Sequence, residues 1–514
     1  MNISKIFKGT LIVSLMIFLA KIVSFISETT LAYSLGSSSE ADIYYTIIGI
    51  QQIIYPMISI GVWKIFLPEY KKKLVLKKEN DANQYSDKII TLFIIISIVF
   101  VILLIVFSKY VTIFVVPGFD KVSQSKVTTF LRFTSPMYLF LCVSTIYGAM
   151  LQSRNKFFGS QIREIVVQIP TIIASIFLYR KYGLYVLGLS LIVGSFLRFI
   201  IELPFVNWNY KFKPNIKFKD KDIFIFFKRL PSALLTASFT QIHSLIDKIV
   251  ASGLSAGSIA CLNYGVKVST LISGLFSQAI NTAVYPTIAG LIAEQNYKNL
   301  SSLINIVINI ICFFIIPVSF GCIVFNYEIV NVLFARGAFQ GKAIYTTGLI
   351  LAGYSIGLIF TALITTINDI LYCHGKANIT MKISMFSCIM TLLLDLIVVN
   401  FLGVFGLALA TSISSMITFF IALKFLNVCL KIKLIHFDKE IIKISFASLF
   451  SVLLSRILFY YMSSWNSIVS LCISIIIAFI LYLFLMIIMK SNLIKTFICF
   501  LRGENNDFIQ FNKK

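Results

Sequence analysis

Two lysines lie deep inside long apolar runs of this 514-residue chain, where a charged side chain is unexpected. Lys21 comes about 12 residues after its apolar run begins, which is ~18 Å along a helix at 1.5 Å per residue. Lys267 comes about ten residues into its own run, ~15 Å from the opposite side. A charge at the middle of a bilayer costs about 2.5–3.5 kcal/mol on the lenient insertion scale, so such residues usually face a polar interior. Two cations at a shared depth are suited to binding an acidic group.

Two acidic residues lie close to the first lysine in the sequence. Glu28 follows Lys21 by two helical turns, so both residues belong to one helix face. Asp42 begins the next apolar run, where a carboxylate favours the N-terminus of a helix. We therefore expect Asp42 to act either as a helix cap or as part of a gate.

Two Arg–Glu combinations also lie within apolar runs. Arg163 directly precedes Glu164, and Glu202 follows Arg198 by about one helical turn. Each combination is predicted to be a local ion pair with a structural role. The histidines and cysteines show neither metal-ligand spacing nor a CxxC pair, so we predict no metal site and no redox role.

Composition places the chain in a membrane. The hydrophobic content is 58%, the mean hydropathy is +0.91, and only 13% of residues are charged. That charged fraction is too small to cover a globule of 58.0 kDa with a water-exposed surface. Soluble enzymes and nucleic-acid-binding proteins are excluded, and the predicted fold class is an all-α polytopic membrane protein. The formal charge of +24 reflects the enrichment of Lys and Arg in cytoplasmic loops.

About 14 apolar segments are long enough to cross a bilayer, which needs about 20 residues per helix. They are 9–33, 43–67, 89–116, 128–151, 158–179, 183–206, 227–251, 257–291, 301–325, 343–371, 378–400, 403–427, 441–462 and 467–489. If Lys5 and Lys8 stay inside, alternation along the chain places the lysine-rich loops 71–78 and 211–221 in the cytoplasm. Both termini are then predicted to be cytoplasmic.

The two halves of the chain share short sequence anchors. Three of them align at one offset of about 220 residues: Leu35–Tyr45 with Leu254–Tyr264, Lys156 with Lys376, and Gly183 with Gly403. Six helices per half would give two parallel repeats related by an axis along the membrane normal, which is typical of alternating-access transporters. We predict an N-terminal lobe at 1–210, a C-terminal lobe at 211–430, and two further helices with a cytoplasmic tail at 431–514.

Several of these stretches resemble a known family. Lys21–Glu28, with Leu35-Gly36, Ala41–Tyr45 and Phe66–Pro68, is similar to the N-terminal signature of the MurJ (MviN) family. Asn263–Lys267 with Tyr285-Pro286 resembles the motif that opens the second half of that family. Its members are the lipid II flippases of the multidrug/oligosaccharidyl-lipid/polysaccharide exporter superfamily. The resemblance runs over roughly residues 5–430. It implies two six-helix lobes around a cationic cavity, and a groove for the lipid tail at the last two helices.

The resemblance also implies site residues. Lys21 and Lys267 match family arginines that contact the diphosphate of the substrate, and Asp42 matches a family aspartate. Three further positions differ from the family pattern and are cavity or gating candidates together with Asp42: Ser27 and Tyr55, where the family has Arg, and Glu28, where it has Asp. Arginine binds oxyanions bidentately whereas lysine acts as a point charge, so this cavity is expected to be less cationic than that of the family.

The sequence thus predicts a flippase, and not an enzyme, in the bacterial cytoplasmic membrane. It would move lipid II from the inner to the outer leaflet by alternating access, as a monomer among membrane lipids and without nucleic acid. No cofactor is expected, and coupling to the membrane potential or to a monovalent ion stays open. Two alternatives also stay open. One is a flippase for another polyprenyl-diphosphate-linked oligosaccharide of capsule, O-antigen or teichoic type. The other is a drug/cation antiporter of the same superfamily, which would have about 12 helices.

Overall fold

The structure is a computed structural model. It describes residues 3–76, 79–154, 156–206, 210–215, 223–224, 226, 230, 245–430, 439–462, 466–491 and 493. Across these ranges the regular elements are helical, and no β-strand occurs among them. The predicted all-α membrane class is confirmed.

Most of the helices follow one another after a few residues, whereas residues 201–257 separate α10 from α11. We number them in chain order as α1 Ile3–Leu35, α2 Ser39–Leu76, α3 Glu79–Val106, α4 Ser108–Val115, α5 Lys121–Thr134, α6 Met137–Ser153, α7 Phe157–Val166, α8 Ile169–Ile173, α9 Tyr179–Tyr182, α10 Leu184–Ile200, α11 Ser258–Ala293, α12 Tyr297–Val324, α13 Asn326–Phe334, α14 Lys342–Cys373, α15 Ala377–Leu430, α16 Lys439–Tyr461 and α17 Ser467–Ile488.

The predicted number of spans is only partly tested by these helices. Within the residues the structure describes, nine helices are long and apolar enough to cross a membrane, and a tenth arises if α5 and α6, which meet at a 45° bend, form one span. Helix α15 contains both predicted spans 378–400 and 403–427, and the non-helical backbone at Gly403 (φ 56°, ψ −138°) divides it into two helical segments. The predicted span 227–251 lies largely outside the described residues. The count of 14 therefore stays a prediction.

The chain folds into two compact units. The first unit comprises Met1–Ala260 with Arg336–Gln340, and the second comprises Cys261–Ala335 with Gly341–Lys514. In the first unit, α6 packs against α2, α3 and α10, while α1 packs along α7 and α8. Its core includes a stack of rings in which the ring centre of Phe66 lies 5.3 Å from that of Tyr70 and 5.4 Å from that of Tyr85. These rings hold one end of α2 against α3 by burying large apolar surfaces.

The stretch between α8 and α9 departs from α-helical geometry. Ala174–Leu178 form a π-helical turn, in which each carbonyl bonds one residue further along the chain than in an α-helix. The Ser34 hydroxyl of α1 donates a hydrogen bond to the Ser175 carbonyl at 2.5 Å. This bond fixes the register of α1 along the stretch that runs from α7 to α9.

In the second unit, α14 packs closely on α15, and α12 packs against both α14 and α16. Small residues permit the α14–α15 approach, and the Ser412 hydroxyl of α15 donates to the Gly353 carbonyl of α14 at 2.6 Å. The core between these helices is aliphatic and includes the fully buried Ile311, Ile315 and Leu371. An apolar cavity of about 420 Å³ lies beside that core, lined by residues of α12, α14, α15 and α16.

Two of the three sequence anchors have matching local geometry. Gly183 has φ 63° and ψ −154°, and Gly403 has φ 56° and ψ −138°. The amide of Lys156 donates to the Leu151 carbonyl at 2.9 Å, and the amide of Lys376 donates to the Leu371 carbonyl at the same distance. The repeated sequences therefore form the same helix ends in both halves of the chain.

The close α14–α15 contact predicts a stability effect. A Cβ at Gly357 would lie 2.6 Å from the Ser412 Oγ and 2.7 Å from its Cα, so Gly357→Ala must push the two helices apart. We expect the unfolding free energy in detergent to fall by about 1–3 kcal/mol. Gly321→Ala on α12 is the control, because a Cβ there meets nothing within 4 Å and alanine favours a helix. Equal melting temperatures of the two variants would contradict the predicted contact.

Candidate functional site

The two predicted substrate lysines belong to different units. Lys21 is partly buried on α1 in the first unit, about 14 residues or ~21 Å before the end of that helix at Leu35. Lys267 is partly buried on α11 in the second unit, about nine residues or ~14 Å after Ser258. The depth of these two lysines in a bilayer stays a prediction. The convergence of the two side chains on one cavity stays a prediction.

Glu28 and Ser27 are enclosed within the first unit. Their exposed fractions are 7% and 2%. The Tyr45 hydroxyl of α2 donates a hydrogen bond to the Glu28 carboxylate at 2.8 Å. This charge-assisted bond ties α1 to α2 two helical turns beyond Lys21. The proposed part of Glu28 and Ser27 in a cavity or gate stays a prediction.

Asp42 caps a helix, but not its own. The N-terminus of α2 is capped by Ser38, whose hydroxyl accepts from the Ala41 amide at 3.2 Å. The Asp42 carboxylate instead accepts from the amides of Gly257 at 2.6 Å and Ala260 at 2.8 Å, at the N-terminus of α11. Asp42 lies in the first turn of α2 as expected, but the amides that its carboxylate caps belong to the start of another helix. Its part in a gate stays a prediction.

Close backbone contacts surround this cap. Gly36 has φ 58°, and a Cβ there would collide with the Ala338 carbonyl oxygen. Gly257 has φ 88°, and a Cβ there would collide with the Ser37 carbonyl oxygen. Only glycine accommodates both the left-handed backbone and the close approach. The connection between α1 and α2 is thus covered by two segments, 257–260 and 336–340, which we call the outer closure because the predicted alternation of spans puts this connection outside.

Four ionised side chains form a network in the first unit. Arg163 donates to the Glu202 carboxylate at 2.9 Å and to the Ser144 carbonyl at 3.1 Å. Arg198 donates to the two oxygens of Glu164 at 3.0 and 2.6 Å. These residues come from α6, α7, α10 and the turn after α10. They bring two arginines and two glutamates together inside the first unit.

The pairing in this network differs from the one predicted. Arg198 and Glu202 are not a direct ion pair: α10 ends at Ile200, and the Ser144 hydroxyl lies between the two side chains, accepting from the Arg198 Nε at 3.3 Å and donating to Glu202 at 2.7 Å. Arg163 keeps its neighbour, with 3.3 Å between its Nε and the Glu164 carboxylate, but its shorter contact is with Glu202. The two pairs therefore cross, and they join α7 to α10.

A small residue makes room for the network. A Cβ at Gly148 of α6 would collide with the Arg163 guanidinium. The Ser144 hydroxyl, one turn earlier on α6, donates to Glu202 at 2.7 Å. Sequence reasoning missed both residues, because glycine and serine are common on every face of a membrane helix and their spacing alone does not identify them.

Tyr55 belongs to the same network. Its ring centre lies 4.9 Å from the Arg198 guanidinium carbon, and its hydroxyl accepts a hydrogen bond from that guanidinium. Both contacts hold the cation in one orientation. The predicted cavity residue Tyr55 is therefore a partner of Arg198, which the sequence had assigned a purely structural role.

No metal site is apparent in the part of the chain that the structure describes, because no three His, Cys, Asp or Glu side chains are grouped there as ligands. The charged groups of the network pair with one another instead. This arrangement can bind and orient an acidic group.

Long apolar helices with a few gathered charges inside them define a polytopic membrane transporter. The family profile described as lipid II flippase MurJ matches residues 31–480. The chain therefore belongs to the MurJ family, and it is a multi-pass protein of a bacterial inner-membrane family. The resemblance seen in the sequence is confirmed.

Individual relatives agree with this assignment. The chain is 26% identical over 426 residues to the probable lipid II flippase MurJ of Buchnera aphidicola subsp. Baizongia pistaciae, which covers 81% of this chain and 82% of that protein. A solved structure of lipid II flippase MurJ in an inward closed conformation is similar with a TM-score of 0.81 and 25% identity, over 94% of this chain and all of that one (100%). An inward-facing multidrug resistance transporter of the MATE family has a TM-score of 0.69 at 12% identity, over 80% of this chain and 94% of that one. The last comparison shows a shared fold alone.

The closed Arg163–Glu202 pair predicts a large stability effect. Arg163→Gln leaves the Glu202 carboxylate buried without its cation, and we expect a loss of about 3–5 kcal/mol in unfolding free energy. Arg154→Gln is the control, because its partner Glu79 is half exposed and can return to water, so the loss should be about 1 kcal/mol. Thermal unfolding of both variants in one detergent measures the difference. Similar losses would show that the network is not a buried one.

Proposed function

We propose that this protein translocates lipid II from the inner to the outer leaflet of the cytoplasmic membrane. The match of the MurJ family profile over residues 31–480 carries this proposal. The Buchnera relative and the solved MurJ structure reported above both carry that activity in their names, which favours lipid II over another polyprenyl-diphosphate-linked oligosaccharide. The MATE neighbour is similar only in fold and gives no support to antiport of drugs.

Lys21 and Lys267 are proposed to neutralise the diphosphate of the substrate. Each lies well inside a long apolar helix, and each comes from one half of the chain, which supports a shared role at the predicted middle of the bilayer. An ammonium group is a compact point charge, which can follow a moving phosphate without a fixed fork geometry. The lipid tail would stay in the bilayer while the headgroup crosses between the lobes 1–210 and 211–430. The helices and tail at 431–514 would lie outside the repeat.

The membrane potential favours the proposed direction. An inside-negative potential assists outward movement of two negative charges by about 4.6 kcal/mol per 100 mV if they cross the whole field. Neutralisation by the lysines reduces that contribution, so a coupled ion would then supply driving force. Transport of this kind breaks no covalent bond, and the protein is proposed to act without a cofactor, as a monomer, with both termini in the cytoplasm.

Asp42 is proposed to act in gating. Its carboxylate holds the first amides of α11 in the outer closure, and opening toward the outside requires these bonds to break. A carboxylate at a helix N-terminus gains from the first amides and from the helix dipole, so the closed state is stabilised. The surrounding glycines let the backbone segments come close enough for this cap to form.

A flipping assay tests the substrate proposal. The wild-type protein in proteoliposomes should move labelled lipid II to the opposite leaflet. Lys21→Ala with Lys267→Ala should lower the rate at least about tenfold, because two charge-assisted contacts to phosphate are lost. The matched control is Lys109→Ala with Lys126→Ala, which removes two exposed lysines of the first unit and should leave the rate unchanged. No movement of lipid II by the wild type would refute the proposed function. Undiminished transport by the double variant would refute the lysine assignment.

The gating role of Asp42 is tested by hydrogen exchange. In Asp42→Asn the amides of Gly257 and Ala260 lose a charged acceptor, so their exchange should speed up about tenfold. Glu40→Gln is the control, because Glu40 accepts from Tyr179 and does not contact these amides. Mass spectrometry of a peptide covering 254–262 measures the exchange. Unchanged protection in Asp42→Asn would remove the carboxylate from the closure.

A further inference from the structure

The two ion pairs of the first unit differ in exposure. The Arg163 and Glu202 side chains are 6% and 0% exposed, so that pair is closed. The Arg198 side chain is 4% exposed, but the Glu164 side chain that covers it is 40% exposed. Only one carboxylate of the network therefore reaches the surface of the unit. A charged side chain within a membrane span that is both paired and accessible is typical of a binding site.

The Glu164 carboxylate accepts hydrogen bonds from the Arg198 guanidinium in the way that an acidic ligand would. The two carboxylate oxygens bind the two terminal nitrogens in a fork, at 3.0 and 2.6 Å. The Arg198 Nε donates to the Ser144 hydroxyl at 3.3 Å. The Tyr55 ring makes a cation–π contact with the guanidinium, with 4.9 Å between the ring centre and the guanidinium carbon. The same fork geometry matches two oxygens of a phosphoryl group. The cation is thus oriented in advance by groups that would remain if the carboxylate left.

The register of the helices places this fork at the depth of Lys21. The Ser34–Ser175 bond aligns α1 with the stretch from α7 to α9, and α1 contacts α7, α8 and the π turn. Glu164 precedes Ser175 by about 11 residues, or ~17 Å, and Lys21 precedes Ser34 by about 13 residues, or ~20 Å. The two side chains therefore lie within one helical turn of each other in depth.

Tyr55 lies at a similar depth along its own helix. It lies about 16 residues, or ~24 Å, after the start of α2 at Ser39, while Lys21 lies ~21 Å before the end of α1. A short turn joins the two helices, and the Tyr45–Glu28 bond links them close to that turn. Lys21, Tyr55 and the Arg198 fork consequently share one layer of the first unit.

We propose that Arg198 is a further binding residue for the diphosphate, and that Glu164 occupies its fork until the substrate displaces it. The inference rests on the proposed function, since it adds a cation to the same substrate site. A diphosphate carries more negative charge than a carboxylate and offers the same pair of oxygens, so it competes for the fork. The Glu164 side chain is already 40% exposed, and it lies 3.3 Å from the Arg163 Nε, so a second cation is next to it when it leaves the fork.

Binding of inorganic pyrophosphate to the full-length protein in detergent tests this exchange. Glu164→Gln removes the competing carboxylate, so pyrophosphate should bind about tenfold more tightly than to the wild type. Glu202→Gln is the matched control, because it removes one negative charge from the same network at a closed position and should not tighten binding. Adding Arg198→Gln to Glu164→Gln should abolish the gain. Isothermal titration measures the affinities.

If the network has only a structural role, the pyrophosphate titrations give a different result. Glu164→Gln would then bind pyrophosphate no better than the wild type, which overturns the proposal. Equal tightening by Glu202→Gln would also overturn it, because a general change in charge would explain both. If Glu164→Gln does not fold, Glu164→Asp is used, since the shorter side chain weakens the fork and should tighten binding to a smaller extent. An unchanged affinity in that variant overturns the proposal as well.

The result of the pyrophosphate titrations can be distinguished from the result of the flipping assay. Tighter pyrophosphate binding by Glu164→Gln, with no lipid II movement by the wild type, would support the fork while refuting the proposed substrate. Lipid II movement by the wild type, with no tightening in Glu164→Gln, would refute the fork while supporting the proposed function.

Discussion

Hydrocarbon surrounds much of this chain, and a charge placed there needs either an opposite charge or water. In the first unit this constraint gathers Arg163, Arg198, Glu164 and Glu202 into one network. The network determines where four parts of the lobe must meet, because leaving any member alone would be costly. Gly148 follows from the same requirement, since a larger residue on α6 would displace the guanidinium. The packing of the lobe is thus organised around its few charges as much as around its aromatic core.

The departures from the family pattern take on a physical meaning in this network. Tyr55 stands where the family has an arginine, and the resemblance alone indicates a loss of positive charge on α2. In the structure a guanidinium lies against that tyrosine ring, but it comes from α10. Under the proposed role of Arg198, the charge is supplied by a different helix at a similar depth. A comparison of single positions in the sequence cannot detect such a redistribution, because it depends on which helices are neighbours.

The sequence predicts the helices of this fold well and their contacts poorly. Apolar runs such as 301–325 and 343–371 correspond to α12 and α14, because the thickness of a bilayer sets the length of a helix directly. The crossed ion pairs could not be predicted, since Arg198 and Glu202 are correctly spaced for a helical pair and only the end of α10 separates them. The partner of Asp42 was also hidden, because it lies more than two hundred residues away in the chain. The spacing of residues in the sequence predicts contacts within one helix, whereas these contacts join several helices.

The π turn between α8 and α9 has a consequence for the length of that span. It holds one residue more per turn than an α-helix, so the side chains beyond it are rotated by about 100° around the axis. In this orientation the Tyr179 hydroxyl donates to Glu40 at 2.7 Å, and the Arg180 guanidinium donates to the Tyr33 hydroxyl at 2.9 Å. Losing one residue from 174–178 would swing both side chains away from the corner of α1 and α2 and toward acyl chains. Evolution can therefore lengthen or shorten the loops of this lobe more freely than it can change the residue number of this one transmembrane segment.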